Sequence, residues 1–124
     1  MSRRFFENQC RRLSESMQAP FRYTDIVRAR LRVVTPMPSL SALADELHLT
    51  ARTVQRRLTA EDTSFSALLH ETRRERACDL LRRPSLPIEE IAYRLGFRDP
   101  DAFSRAFGSW LGMTPSEYRR ATLD

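Results

Sequence analysis

The chain contains one short pattern of apolar residues twice, and this internal repeat limits the possible folds more than any other feature. Five apolar positions recur 48 residues later: Leu40, Leu43, Ala44, Leu47 and Leu49 are matched by Ile88, Ile91, Ala92, Leu95 and Phe97. A second group recurs at an offset of 49: Val54, Arg56 and Leu58 are matched by Phe103, Arg105 and Phe107. The sequence therefore holds two similar supersecondary units.

Each copy has the spacing of two short amphipathic helices separated by a tight turn. Its first four apolar positions fall at i, i+3, i+4 and i+7, which lie on one face of an α-helix. Thr50 and Asp99 stand where the second helix of each copy would begin, and both are good N-cap residues. Pro100 fits the first helical position, and Gly96 fits the left-handed end of the preceding helix. Each copy is predicted to be a helix-turn-helix.

The predicted fold class is all-α, with two helix-turn-helix subdomains joined by a long linker helix and about seven helices in total. Glycine is scarce, and the alternation typical of half-buried strands does not occur in the sequence. We predict a first helix near residues 24–34 capped by Thr24, and a last helix opened by a Thr114–Glu117 capping box. A linker helix over 63–83 would be roughly 30 Å long.

These elements suggest how the chain is organised. We expect a domain over 21–124, with a first unit at about 24–62, the linker helix at about 63–83 and a second unit at about 85–121. Residues 1–20 are an arginine-rich lead-in ending at Pro20, interpreted as a linker from a missing N-terminal domain. No apolar run approaches the roughly 18 residues of a membrane helix, and the N-terminus lacks a signal-peptide pattern. We expect a cytoplasmic protein.

The charge of the chain favours an anionic partner. The formal net charge is +5, and all 21 basic residues are arginine. The planar guanidinium suits bidentate contacts to phosphate or guanine better than an ammonium does. A GC-rich codon bias that replaces lysine throughout is an equally good explanation of the composition. Under either explanation the surface is basic.

The second helix of the first copy presents polar side chains that fit DNA bases. Arg52, Gln55 and Arg56 fall on one outward face, where arginine can pair with guanine and glutamine with adenine. The alternative is that this face is only solvated. Arg57 points to the side of that face, which makes it a better candidate for phosphate contact than for base contact.

The second copy has a different outer face. Arg105 is a candidate for contact with a base or a phosphate. Asp101 could accept a hydrogen bond from cytosine N4, or it could only stabilise the positive end of its helix. Further candidates for phosphate contact are Ser39, Arg98, Ser104 and Thr114.

Arginines of the predicted linker helix and the C-terminus have two interpretations each. Arg73, Arg74 and Arg76 could contact phosphates, although we expect Arg73 to pair with a carboxylate such as Asp79 or Glu46. Arg119 could contact phosphate or could be solvated.

Enzymatic and metal-dependent functions are disfavoured. Two cysteines, Cys10 and Cys78, are too few for a disulfide framework, and with His48 and His70 they provide no four-ligand metal spacing. No catalytic triad, phosphate-binding glycine loop or carboxylate pair is evident. We expect no enzyme activity and no cofactor.

Three stretches carry a family resemblance: "PSLSALADELHLTARTVQRRLTAEDTSFSALL", "RRERACDLL" and "IEEIAYRLGFRDPDAFSRAFGSWLGMTPSEYRR". Over about residues 22–121 they resemble the DNA-binding domain of AraC/XylS-type transcription regulators. The resemblance implies seven helices and two recognition helices in adjacent major grooves of promoter DNA. It places the base-reading positions of the family at Arg52, Gln55 and Arg56 in the first unit and at Pro100, Asp101, Ala102 and Arg105 in the second.

The chain departs from the family pattern at several of these positions. Pro100 and Ala102 offer no side-chain hydrogen-bond donor, and Gly108 stands where relatives often have Lys or Arg. The resemblance also implies RNA polymerase as a second partner and a separate N-terminal domain that binds an effector or dimerises. The chain is then either a C-terminal piece of a larger activator or repressor, or a natural short regulator.

Two other functions fit the same residues. A helical adaptor could use its basic faces to bind acidic protein surfaces, and a nonspecific nucleic-acid binder would depend on charge alone. Neither would show a base preference.

Overall fold

The computed structural model describes residues 22–123, and this part of the chain is all-helical, without a β-strand. Its seven helices are, in chain order, α1 (Tyr23–Val33), α2 (Leu40–Glu46), α3 (Ala51–Ala60), α4 (Phe65–Leu81), α5 (Ile88–Arg94), α6 (Pro100–Leu111) and α7 (Pro115–Leu123). The predicted all-α fold class is confirmed. The predicted lead-in at 1–20 lies outside the described residues.

The two copies of the repeat, α2–α3 and α5–α6, have the same backbone hydrogen bonds at equivalent positions. The N–H of Leu49 donates to the carbonyl of Ala44, and the N–H of Phe97 donates to the carbonyl of Ala92, both at 2.9 Å. These bonds close the turn that separates the two helices of each copy. The sequence repeat therefore corresponds to a repeat of backbone geometry.

The residue before each of these donors has a left-handed backbone. The φ angle is 58° at His48 and 82° at Gly96. A Cβ atom added to Gly96 would lie only 2.8 Å from the carbonyl oxygen of Met37. The second copy requires glycine here for two reasons, the positive φ and the close approach of the chain that follows α1.

The apolar positions of both copies contribute to one contiguous core. Val54 and Leu58 of α3 and Phe103 and Phe107 of α6 are fully buried. The α4 helix passes through this core and packs against both units, with its buried side formed by Phe65, Leu68, Thr72, Ala77, Leu80 and Leu81. Burial of the inward positions leaves the opposite faces of α3 and α6 outward.

The α4 helix is shorter than the predicted linker helix. It has 17 residues rather than the 21 predicted for 63–83, so it is roughly 25 Å long instead of 30 Å. The Ser64 side chain accepts the N–H of Ala67 at 3.0 Å and caps the helix, which leaves Thr63 outside it. At the other end, Pro84 disfavours helical geometry for the residue before it.

The start of α1 differs from the prediction, because Thr24 is not its cap. The carboxylate of Glu61 accepts the N–H of Tyr23 at 2.7 Å, the N–H of Thr24 at 2.7 Å and the Thr24 hydroxyl at 2.6 Å. Burial acts to raise the pKa of Glu61, but hydrogen bonds from Thr24 and Tyr23 and the charge of Arg22 outweigh it. The pKa of Glu61 therefore lies below its ordinary value.

Replacement of Gly96 by alanine should destabilise the fold by about 1–3 kcal/mol, because alanine is strained at positive φ and its Cβ would meet the Met37 carbonyl. Gly108, inside α6, is the matched control, since nothing lies within 4 Å of a Cβ there. Gly108→Ala should stabilise by about 0.5–1 kcal/mol. Urea unfolding of both variants tests this, and equal effects of the two changes would contradict it.

Glu61→Gln should lower the free energy of unfolding at pH 7 by about 1–2 kcal/mol, because the amide keeps one acceptor oxygen where the carboxylate uses two. Since the folded pKa is lowered, the stabilisation is full above the ordinary value of 4.5 and is lost as the pH falls through the folded pKa. The difference in the free energy of unfolding between wild type and Glu61→Gln should therefore become smaller as the pH falls below 4.5.

Glu46→Gln is the control for this experiment, because Glu46 forms a half-exposed ion pair with Arg30 at 3.4 Å. Its effect should stay within about 0.5 kcal/mol. A gap between wild type and Glu61→Gln that stays constant from pH 7 to pH 3 would refute the capping role of the Glu61 carboxylate.

Candidate nucleic-acid interface

The outward face of α3 carries the predicted polar residues on a stable helix. The Thr50 hydroxyl accepts the N–H of Thr53 at 3.1 Å, so the predicted N-cap is confirmed. Arg52, Gln55 and Arg56 are all exposed. They lie at the i, i+3 and i+4 positions opposite the buried side of the helix, so their side chains share one surface.

The outward face of α6 is built in the same way but has different chemistry. Asp99 is the N-cap, as predicted, and its side chain accepts the N–H of Ala102 at 2.7 Å, with Pro100 as the first helical residue. Asp101 and Arg105 are exposed and share a face at i and i+4. This face therefore combines one negative and one positive side chain.

The charge of Arg105 also acts on the N-cap. The pKa of Asp99 lies below its ordinary value, first because of the hydrogen bond from Ala102 and then through Arg98 and Arg105. Arg98 contacts the Asp99 carboxylate at 3.4 Å and is otherwise exposed. At the start of α6, a backbone N–H and the charges of Arg98 and Arg105 thus favour the ionised form of the Asp99 carboxylate.

Two of the predicted phosphate-contact residues are N-caps. The Ser39 hydroxyl accepts the N–H of Ala42 at 3.1 Å at the start of α2. Thr114 accepts the N–H of Glu117 at 3.1 Å and donates its own N–H to the Glu117 carboxylate at 2.8 Å, which confirms the predicted capping box. The Ser39 hydroxyl retains a proton that can be donated to an anion near the positive end of its helix. At Thr114, hydrogen bonds from the backbone and the side chain hold the pKa of Glu117 below its ordinary value.

The remaining phosphate candidates have mixed surroundings. Ser104 is half-buried on α6. Arg57 is exposed, and its guanidinium lies 5.0 Å from the centre of the Tyr23 ring, which ties it to the start of α1. Arg57 therefore contacts Tyr23 and is also exposed to solvent.

Arg73 does not pair with Asp79 or Glu46, so this prediction was wrong. Its Nε donates to the carbonyl of Leu95 at 2.9 Å and its Nη2 to the carbonyl of Gly96 at 3.0 Å. The carbonyls at the end of a helix lack partners within that helix, which makes them strong acceptors for a guanidinium. Burial lowers the pKa of Arg73.

Arg76 and Arg119 are also bound to backbone carbonyls. Arg76 donates to Leu31 and Val34, and Arg119 donates to Leu81 at 2.9 Å, Arg83 at 3.0 Å and Leu86 at 2.7 Å. Neither guanidinium is merely solvated, because each has backbone partners within the fold.

One residue of the α3 face was missed in the sequence. Thr59 is exposed and lies seven positions after Arg52, so it extends the stripe formed by Arg52, Gln55 and Arg56. The i+7 spacing was the signal that could have found it.

The sequence model of the family described as helix-turn-helix domain matches residues 43–121 of this chain. An HTH-type transcriptional regulator of Mycobacterium tuberculosis is 41% identical over 113 residues, which are 90% of this chain and 33% of the regulator. The chain belongs to the AraC/XylS-type helix-turn-helix family of transcription regulators. This family consists of DNA-binding regulators rather than enzymes.

The chain is also similar to a regulator from a second organism. The ornithine utilization regulator of Pseudomonas aeruginosa is 37% identical over 117 residues, which cover 93% of this chain and 34% of that protein. The chain spans about a third of the length of these curated relatives.

Solved structures have the same fold. The transcriptional regulator CdpR of Pseudomonas aeruginosa superposes with a TM-score of 0.69 at 39% identity, covering 79% of this chain and 31% of CdpR. The DNA-binding domain of AdpA, solved in complex with a target DNA, gives a TM-score of 0.64 at 28% identity, covering 81% of this chain and 92% of that domain. The AraC/XylS-type fold is thus shared with a domain crystallised on DNA.

In the described part of the chain, no helix is both long and apolar enough to span a bilayer. Residues 22–123 also hold no group of three or more side chains arranged to bind a metal ion.

Arg119→Ala should lower the free energy of unfolding by about 1–3 kcal/mol, because three backbone carbonyls lose their charged donor. Arg120→Ala, at the exposed neighbour, should change stability by no more than about 0.5 kcal/mol. Thermal unfolding of both variants measures the difference. Equal stability of the two proteins would show that the Arg119 contacts contribute nothing.

Proposed function

We propose that this domain binds specific sequences of double-stranded DNA by placing α3 and α6 in successive major grooves. The observation that carries the proposal is the repeated unit: in each copy, a capped second helix buries one face and exposes a polar one. A helix-turn-helix uses its second helix to reach base edges in the major groove. The AdpA domain, crystallised with a target DNA, has the same fold.

In the first unit, Arg52, Gln55 and Arg56 are assigned to base reading. Arginine donates two hydrogen bonds to O6 and N7 of guanine, and glutamine pairs with N6 and N7 of adenine. The three side chains share one exposed face of a rigid helix, which is the arrangement that direct readout needs. The α3 helix would supply most of the sequence preference.

In the second unit, Arg105 and Asp101 are assigned to base reading. Arg105 would contact guanine, and Asp101 would accept from cytosine N4 while repelling nearby phosphates. Pro100 and Ala102 add no hydrogen bond at the other positions of this face. The α6 helix would therefore read fewer base pairs than α3.

Phosphate contacts would hold the two helices in the grooves. We assign them to Arg57, Ser39, Arg98, Ser104 and Thr114. Two of these, Ser39 and Thr114, would act with the positive ends of α2 and α7. Such contacts set the register of the protein on the duplex but carry no base preference.

The length of α4 sets a condition on this arrangement. At roughly 25 Å it is shorter than the ~34 Å between successive major grooves on one side of B-form DNA. Both helices can enter the grooves if their reading faces extend beyond the ends of α4 or if the DNA bends toward the protein.

The proposal also includes a longer full-length protein to which this DNA-binding domain would belong. The relatives are about three times as long as this chain, which supports a further domain that binds an effector or dimerises. RNA polymerase would be a second partner at the promoter, and the site of action would be the cytoplasm.

Selection of random duplexes against the 124-residue chain tests the proposal. Two information-rich blocks about one helical turn apart are expected. Binding that follows salt but not sequence would indicate a nonspecific nucleic-acid binder. The absence of DNA binding would favour a protein-interaction adaptor.

Arg56→Ala should cost about 1–3 kcal/mol on the selected site and should relax the preference at one or two base pairs, because a base contact is lost. Arg57→Ala should weaken binding to all sequences to a similar extent and should reduce the salt slope by about 1. Affinities at several salt concentrations, on the selected site and on random DNA, separate the two effects. If both variants weakened selected and random DNA equally, the assigned roles would be wrong.

A further inference from the structure

Arg76, on α4, binds the end of α1 and the chain that follows it. Its Nη1 donates to the carbonyls of Leu31 at 2.8 Å and Val34 at 2.9 Å, and its Nη2 donates to the Thr35 hydroxyl at 2.8 Å. The two carbonyls lie at the C-terminal end of α1, where backbone oxygens lack partners within the helix and carry partial negative charge. One guanidinium thus joins α4 to the first unit at three points.

Arg73, one turn earlier on α4, makes the equivalent contact with the second unit. It donates to the carbonyls of Leu95 and Gly96, and its guanidinium carbon lies 4.1 Å from the centre of the Phe97 ring. These three residues begin the segment between α5 and α6. Arg73 therefore binds the segment that leads directly into the second recognition helix.

A backbone contact joins the two units beside these arginines. The N–H of Met37, in the chain after α1, donates to the carbonyl of Arg94 at the end of α5, at 3.0 Å. The Met37 carbonyl also lies so close to Gly96 that a Cβ atom would not fit. The chain that follows α1 is thus in direct contact with the end of α5, beside the two arginines of α4.

The chemistry of the guanidinium makes these contacts directional. Its N–H donors lie in one plane and at fixed angles, so several bonds from one group fix orientation as well as distance. An ammonium group would keep the charge but would not hold separate acceptors in fixed directions.

We propose that Arg73 and Arg76 are positioning residues that fix the orientation of α6 relative to α3, and so determine which spacing between two blocks of base pairs the protein accepts. This inference rests on the proposed function. Neither residue is assigned a contact with DNA.

The geometry of DNA explains why spacing is the sensitive quantity. One turn has about 10–10.5 base pairs, so one inserted base pair moves the second block by about 3.4 Å and rotates it by about 35° around the duplex. Two recognition helices in a rigid arrangement cannot follow that rotation. Two helices whose connection has loosened can follow it, at the cost of affinity for the original site.

The test uses the 124-residue chain with Arg73→Lys, Arg76→Lys and the double variant, all of which keep the net charge. Arg74→Lys is the matched control, because Arg74 is the exposed neighbour on the same helix. Affinities are measured on the selected two-block duplex, on duplexes with the spacing changed by one or two base pairs, and on a duplex that keeps only the first block.

Wild type and Arg74→Lys should lose at least about tenfold in affinity for each changed base pair of spacing, a factor that corresponds to about 1.4 kcal/mol. The double variant should lose about tenfold on the original spacing and should discriminate among spacings by less than about threefold. Its affinity for the single-block duplex should stay within about twofold of wild type, which also shows that the first unit is folded.

Two outcomes would overturn the positioning role. If the variants keep the spacing preference of wild type, the positioning role of Arg73 and Arg76 is refuted. The proposed DNA-binding function is not affected by that result. The same conclusion follows if single-block and two-block affinities fall in equal proportion. If wild-type protein selects no two-block site at all, the proposed function fails first, and the positioning role fails with it.

If circular dichroism shows that the double variant is unfolded, a variant with a smaller structural change takes its place in the test. Thr35→Val removes one acceptor of Arg76 and leaves both guanidinium groups in place. Its spacing discrimination should fall about threefold relative to wild type, with unchanged single-block affinity. Discrimination equal to that of wild type would contradict the proposal.

Discussion

The fold depends on charged side chains that bind the ends of helices from distant parts of the sequence. Glu61 binds the start of α1, Arg76 its end, Arg73 the end of α5, and Arg119 the end of α4. Every helix end has backbone groups without partners, and leaving them unsatisfied in a partly buried place costs more than a typical hydrogen bond gains. Because the helices are short, these ends are a large share of the structure, and each such contact also joins two helices.

The same contacts explain how much could be predicted from the sequence. The repeat and its helical spacing predicted the all-α fold, and caps such as Thr50, Asp99 and the Thr114–Glu117 box were predictable because each depends on residues three positions apart. Glu61 acts 37 residues from Thr24, and Arg76 acts 45 residues from Leu31. Such partners are defined only when the chain has folded, so no local pattern indicates them.

Several arginines stabilise the fold itself, so the net charge of +5 does not reflect binding to a partner alone. Arg73, Arg76 and Arg119 each donate from one guanidinium to several backbone oxygens, which a lysine ammonium cannot reproduce with the same directionality. The fork of arginine therefore stabilises helix ends as well as offering contacts to phosphate or guanine. Part of the basic character that the sequence assigned to a partner therefore belongs to the framework of the fold.

The two copies share their framework but not their outer faces, and this difference has a consequence for recognition. Packing restricts the inward positions, the caps and the turn, so these recur, whereas the outward positions are restricted only by what they contact. The α3 face offers Arg52, Gln55 and Arg56, while on α6 Arg105 acts beside the carboxylates of Asp99 and Asp101. If α3 and α6 enter successive major grooves as proposed, two unlike faces held in one orientation would fit a site without two-fold symmetry. A single domain of this kind would therefore bind in only one direction along the duplex, which a symmetric pair of identical units could not specify.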